Sequence, residues 1–139
     1  MAGLRVSDIM TKDVITLNRN DSLTTADDVM RLGRIRHLLV VHDDGELAGV
    51  LSQRDLFLGG LLRALGYGSH AKAQALSTMV VKEAMVNEPF TTTPNTPLED
   101  AARIMLDNKI GCLPVIDKGK IVGIITESDF VAHVAARPR

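Results

Sequence analysis

Gly49-Val-Leu-Ser-Gln-Arg-Asp55 returns further along the chain as Gly123-Ile-Ile-Thr-Glu-Ser-Asp129. A glycine, two aliphatic residues, a hydroxyl residue and an aspartate three positions later read as the end of a strand entering a helix. The recurrence extends outward on both sides. Val6-Ser-Asp-Ile-Met10 matches Val81-Lys-Glu-Ala-Met85, and the halves align position by position with one extra residue near Asp43-Asp44. Such self-similarity marks two copies of one supersecondary unit.

Each copy opens on a segment ending in methionine, Met10 or Met85, followed by a few extended residues, Val14–Leu17 or Phe90–Thr93. A helix comes next. In the second copy Thr96 is the expected N-cap, Pro97 the first helical residue and Glu99 the third, a capping box. Asp21 or Ser22 caps the first. Leu23, Ala26, Val29 and Met30, matched by Leu98, Ala101, Ile104 and Met105, recur at helical spacing. Gly33 and Asn108 are the residues expected to turn left-handed at the helix ends. A hairpin follows: His37–Val41, a turn at Asp43–Gly45, then Leu47–Leu51. The second copy gives Cys112–Ile116, a turn at Lys118-Gly119, then Ile121–Ile125. The near-continuous apolar strands call for cover on both faces. A last helix begins at Ser52 or Thr126. The fold class is therefore mixed α/β, a tandem β-α-β-β-α repeat. The first repeat spans 4–58, a helical connector 59–80 and the second repeat 81–136, together one compact module. In the connector, Leu58, Leu61, Leu62 and Leu65 form an apolar stripe suited to core packing or to a subunit contact, and Gly66–Ser69 breaks the helix.

The bulk properties narrow the function classes. The 139 residues are 45% hydrophobic and 24% charged, with a net charge of −1. This is the composition of a globular domain, without the clustered basic face of a nucleic-acid binder. The lone cysteine, Cys112, excludes an internal disulfide and reads as a buried, inert thiol. There is no signal-peptide pattern at the N-terminus and no apolar run of the ~20 residues that span a bilayer. A cytoplasmic location without membrane or nucleic-acid partners is expected. His37, His42, His70 and His133 lack metal-ligand spacing. No nucleophile–base–orienter set and no Walker glycine loop is present, so the chain is not expected to be an enzyme.

With Leu113-Pro-Val115 and the doubled Gly-x-x-[Ser/Thr]-x-x-Asp endings, the ordered set resembles a CBS domain pair, or Bateman module, across residues 4 to 135. That resemblance implies two sheets packed with pseudo-twofold symmetry and helices outside. It also implies a regulatory module that binds adenosine-containing ligands in the cleft between repeats and signals to a partner protein. The ligands implied are AMP, ADP or ATP, or NAD or S-adenosylmethionine, with no resident cofactor. A disc-like homodimer is implied as well. The alternatives are a dimerisation or scaffold domain with no nucleotide, and, further off, a small nucleotide-directed enzyme.

The residues fit the implied role. [Ser/Thr]-x-x-Asp at a helix start is a capping box, and it also places free N–H groups beside a carboxylate, a setting for phosphate and ribose. Gly49 and Gly123 are read as leaving room for close backbone approach. By the resemblance, one site combines Ile35, Arg36 and His37 with Thr126, Ser128 and Asp129. The other combines Ile110, Gly111 and Cys112 with Ser52, Arg54 and Asp55. Ser7 and Lys82 line these sites from the opening segments. Both sites are then expected to accept anionic ligands. The first repeat departs from the family pattern at Leu39, where the second has Pro114.

Overall fold

The computed structural model describes residues 3–64 and 71–136. Leu65, the Gly66–Ser69 break and His70 lie outside the described residues, and so does the side chain of Leu62. The elements in chain order are α1 (Val6–Ile9), β1 (Thr16–Asn18), α2 (Leu23–Gly33), β2 (His37–Val41), β3 (Leu47–Ser52), α3 (Gln53–Ala64) and α4 (Ala71–Thr78). A 3-10 turn (Val81–Glu83) follows, then β4 (Val86–Asn87), α5 (Leu98–Asn108), β5 (Cys112–Asp117), β6 (Lys120–Thr126) and α6 (Glu127–Ala135).

The compact units do not coincide with the sequence repeats. A central unit comprises Ile15–Glu88, and a terminal unit joins Met1–Val14 to Pro89–Arg139. Each repeat thus gives its opening segment to the unit built around the other repeat's hairpin. In the terminal unit Thr11 bridges Ile124, and the Val6 and Ser7 N–H groups donate to the carbonyls of Thr96 and Pro94. In the central unit β4 pairs antiparallel with β3, Val86 opposite Val50, while the Val81 and Lys82 N–H groups donate to Asp21 and Arg19.

Glycine explains why the exchange is tight. A Cβ on Gly49 would stand 2.5 Å from the Val86 carbonyl oxygen and 2.9 Å from Met85 Sδ. On Gly123 it would stand 2.8 Å from Met10 Sδ and 2.9 Å from the Thr11 carbonyl. The close backbone approach expected at these glycines is made by the methionine segments, through the Val86 and Thr11 carbonyls.

The central sheet has the order β1-β2-β3-β4, with β1 parallel to β2 and the other pairs antiparallel. The terminal sheet reduces to β5-β6, flanked by single bridges from Thr92 to Val115 and from Thr11 to Ile124. Leu39 and Pro114 account for one of these differences. Leu39 has an N–H for a parallel neighbour, and β1 pairs over Thr16, Leu17 and Asn18. Pro114 has none. The Thr92 N–H donates to the Pro114 carbonyl and Ile116 returns a bond to Thr92, but the ladder stops there. The extended stretch expected at Phe90–Thr93 is therefore one bridge long.

The helix ends also depart from the sequence reading. Ser22 caps α2, its Oγ accepting from the Thr25 N–H at 3.1 Å. The expected box at Thr96 does not form: Pro97 is the N-cap, and Thr96 Oγ1 instead accepts from the Thr93 N–H. Gly33 and Asn108 remain helical. The left-handed residues are the next ones, Arg34 (φ 53°) and Lys109 (φ 53°). Both hairpins carry a register shift at the same place, between Val40 and Val41 and between Val115 and Ile116. The second closes through Lys118 and Gly119, both at positive φ, the two-residue turn that matches strand twist.

Each unit has its own core. Leu17, Leu23, Met30, Leu38, Val40 and Leu51 meet Leu56, Leu76, Met79 and Val81 in the central unit. Val6, Leu98, Ala101, Met105, Leu113, Val115 and Ile125 form the terminal core. Val6 and Val81, the first residues of the exchanged segments, are fully buried. Burial of one such side chain contributes about 1.5–3 kcal/mol.

Candidate functional site

At the end of each hairpin the first strand begins where the second strand enters a helix. His37 lies opposite Ser52 in register, and Cys112 lies opposite Thr126. The first N–H of the following helix reaches back across this junction. Gln53 donates to the Arg36 carbonyl at 2.8 Å, and Glu127 donates to the Gly111 carbonyl at 3.1 Å. Each unit therefore assembles its own pair of segments. The central unit gathers Ile35, Arg36 and His37 with Ser52, Arg54 and Asp55. The terminal unit gathers Ile110, Gly111 and Cys112 with Thr126, Ser128 and Asp129. The reason is covalent: a hairpin returns the chain to its own starting edge.

Both helix starts carry the carboxylate arrangement that the spacing predicts. The Ser52 N–H donates to Asp55 Oδ2 at 3.2 Å and the Asp55 N–H donates to Ser52 Oγ at 3.0 Å. The Thr126 N–H donates to Asp129 Oδ2 at 2.9 Å, and Thr126 Oγ1 lies 2.7 Å from Ser128 Oγ. The structural role of the motif is thus realised in both copies.

The sequence reading missed Thr11. Its hydroxyl donates to Asp129 Oδ1 at 2.9 Å, so both oxygens of Asp129 are engaged. The counterpart of Thr11 is Val86, which has no hydroxyl. The Thr11/Val86 difference was visible in the repeat alignment, but the exchange of opening segments decides which aspartate it serves. Ser7 and Lys82 fall in the units of Asp129 and Asp55 respectively. Their backbones rest on Pro94 and Arg19, at the loops leading into α5 and α2.

Arg36, Arg54, Lys82 and Ser128 are exposed; Ser7, Ile35, His37, Ser52, Asp55, Ile110, Gly111, Thr126 and Asp129 are half-buried. Cys112 is buried in β5. Arg54 also lines a cavity of about 480 Å³ bounded by Leu56, Phe57, Leu61 and Leu76. Among the described residues no group of His, Cys, Asp or Glu is placed to hold a metal ion, and no helix is long and apolar enough to cross a membrane.

The CBS domain family model matches residues 6–59 and 81–136, and the chain belongs to that family. A CBS domain-containing protein of Dictyostelium discoideum is 32% identical over 91% of this chain and 88% of its own length. Other curated relatives are longer: the chain spans 23% of the homoserine O-acetyltransferase of Methanosalsum zhilinae. Solved structures share the CBS-pair fold. CBSX2 in complex with AMP is 30% identical with a TM-score of 0.77, covering 96% of this chain and 97% of that one. The CBS pair of MJ0100, solved with 5′-methylthioadenosine and S-adenosyl-L-methionine, is 26% identical with a TM-score of 0.79, covering 99% and 100%.

Proposed function

We propose that this chain is a regulatory, non-catalytic module that binds adenosine-containing ligands at the two hairpin-to-helix junctions and reports their presence to a partner protein. The observation carrying this reading is the doubled aspartate at a helix start, set beside a neighbouring strand's first residues, in a fold shared with CBS pairs solved with AMP and with S-adenosylmethionine. A helix N-terminus with a fixed carboxylate suits the phosphate and ribose of AMP, ADP, ATP or NAD. We place the protein in the cytoplasm, without membrane or nucleic-acid partners, as a homodimer. Phe57 (61% exposed) on α3, and Val131 (67%) and Val134 (63%) on α6, offer apolar surface for self-association.

Calorimetric titration with AMP, ATP, NAD and S-adenosylmethionine tests the binding. Micromolar to millimolar affinity that falls in Asp55→Ala or Asp129→Ala supports it. Absence of binding at millimolar ligand sinks it and leaves the scaffold reading. The engagement of both Asp129 oxygens inside the protein favours that second reading, in which the motif only caps helices. Thr126→Ala would then lower the melting temperature while no ligand changed it.

A further inference from the structure

The way the units sort their residues changes the charge of the two junctions. The central unit carries two arginines at its junction's backbone: the Arg36 carbonyl accepts the first N–H of α3, and Arg54 is in that helix's first turn. At the matching places the terminal unit has Gly111 and Ser128. The helices also open differently, with neutral Gln53 in α3 and Glu127 in α6. Counting these positions with the two aspartates, the central junction has two cations and one anion. The terminal junction has two anions and no cation. Arg34 and Lys109 occupy equivalent left-handed positions and leave the contrast unchanged.

We infer that the two junctions divide their ligands by charge: the central unit takes a phosphate-bearing adenine nucleotide, and the terminal unit takes an adenosine derivative without phosphate, neutral or cationic. The inference rests on the proposed adenosine binding and specifies it. Arg36 and Arg54 are exposed residues whose backbones flank the start of α3, and guanidiniums reaching a phosphate there would favour a polyphosphate through charge-assisted bonds. The same helix dipole is present in the terminal unit, but Glu127 and Asp129 oppose an incoming phosphate there. That pair suits a sulfonium or an uncharged 5′ group. Thr11 and Thr126, both bonded to Asp129, hold that carboxylate in place. Arg36, Arg54 and Glu127 are exposed, so salt screens the discrimination.

Calorimetry on the full chain with three probes, ATP, 5′-methylthioadenosine and S-adenosylmethionine, tests the division. Arg54→Ser and Arg36→Gly are each expected to weaken ATP roughly tenfold or more, and the pair roughly hundredfold, with 5′-methylthioadenosine unaffected. Rising salt weakens ATP and spares 5′-methylthioadenosine. Glu127→Gln weakens S-adenosylmethionine relative to 5′-methylthioadenosine. ATP and 5′-methylthioadenosine bind together without competing. Unchanged ATP affinity in the double variant, or displacement of 5′-methylthioadenosine by ATP, overturns the inference and leaves adenosine binding intact. If none of the three probes binds, adenosine binding fails and the division fails with it. Both arginines are solvent-exposed, so an unchanged unfolding midpoint separates lost binding from lost fold.

Discussion

Thr92 occupies a core position. Its counterpart in the first repeat is Leu17, and both are nearly inaccessible, 5% and 7% exposed. The Thr92 backbone is paired on both sides, but its buried Oγ1 has no partner. Desolvating a hydroxyl without a compensating bond costs stability. Thr92→Val is therefore expected to raise the unfolding free energy by about 1 kcal/mol, read by urea denaturation; a loss of that size would refute the account. Gly123 presents the opposite case. A methyl group there meets Met10 Sδ and the Thr11 carbonyl, and backbone cannot yield as a flexible side chain can. Gly123→Ala is expected to cost about 1–3 kcal/mol, and Gly49→Ala a similar amount against Val86. Wild-type stability in both would show that the methionine segments do not pack as described.

At the scale of elements, the two copies show how prolines set the extent of pairing. Leu39 allows β1 three paired residues, whereas Pro114 at one end and Pro94, standing where Arg19 donates to Val41, at the other limit its counterpart to the Thr92 bridge. Leu39→Pro is expected to shorten β1 and to cost about 1–3 kcal/mol through the lost ladder bond. Chemical denaturation measures it, and an unaltered midpoint would mean that the N–H of Leu39 carries no weight in the ladder. Helix starts and stops were partly legible. Ser22, Ser52 and the aspartates three residues after Ser52 and Thr126 took the roles that their spacing predicts. Thr96 did not, because its hydroxyl found Thr93 and Pro97 took the cap. Likewise the left-handed residue is Arg34 and not Gly33, since helix length was decided by where Ile35 must return to bond Met30. Local propensity ranks the candidates within a residue or two, and tertiary pairing selects among them.

At the scale of the whole chain, the compact units cross the repeat boundaries. Val6 completes the terminal core, and Val81 completes the central one. A fragment cut at the repeat boundary lacks the opening segment its core needs. A fragment covering 15–88 contains all of the central unit. The expectation is that residues 15–88 give a cooperative thermal transition by circular dichroism and residues 1–80 a weaker one, since the latter lacks Val81, Met85 and β4. Equal transitions would contradict the exchange.

The sequence alone determined the repeat, the order of elements, the hairpins, the apolar faces and the aspartate at each helix start. These follow from chemistry within a few residues along the chain, where spacing and composition are direct evidence. Only the tertiary structure decided which opening segment serves which hairpin, why Gly49 and Gly123 have no side chain, and that Thr11 holds Asp129. Those are partnerships between segments far apart in the chain. Two similarly patterned copies offer each segment two comparable partners, and the pattern of residues does not distinguish them. The choice is made by chain connectivity and by the burial of Val6, Met10, Val81 and Met85.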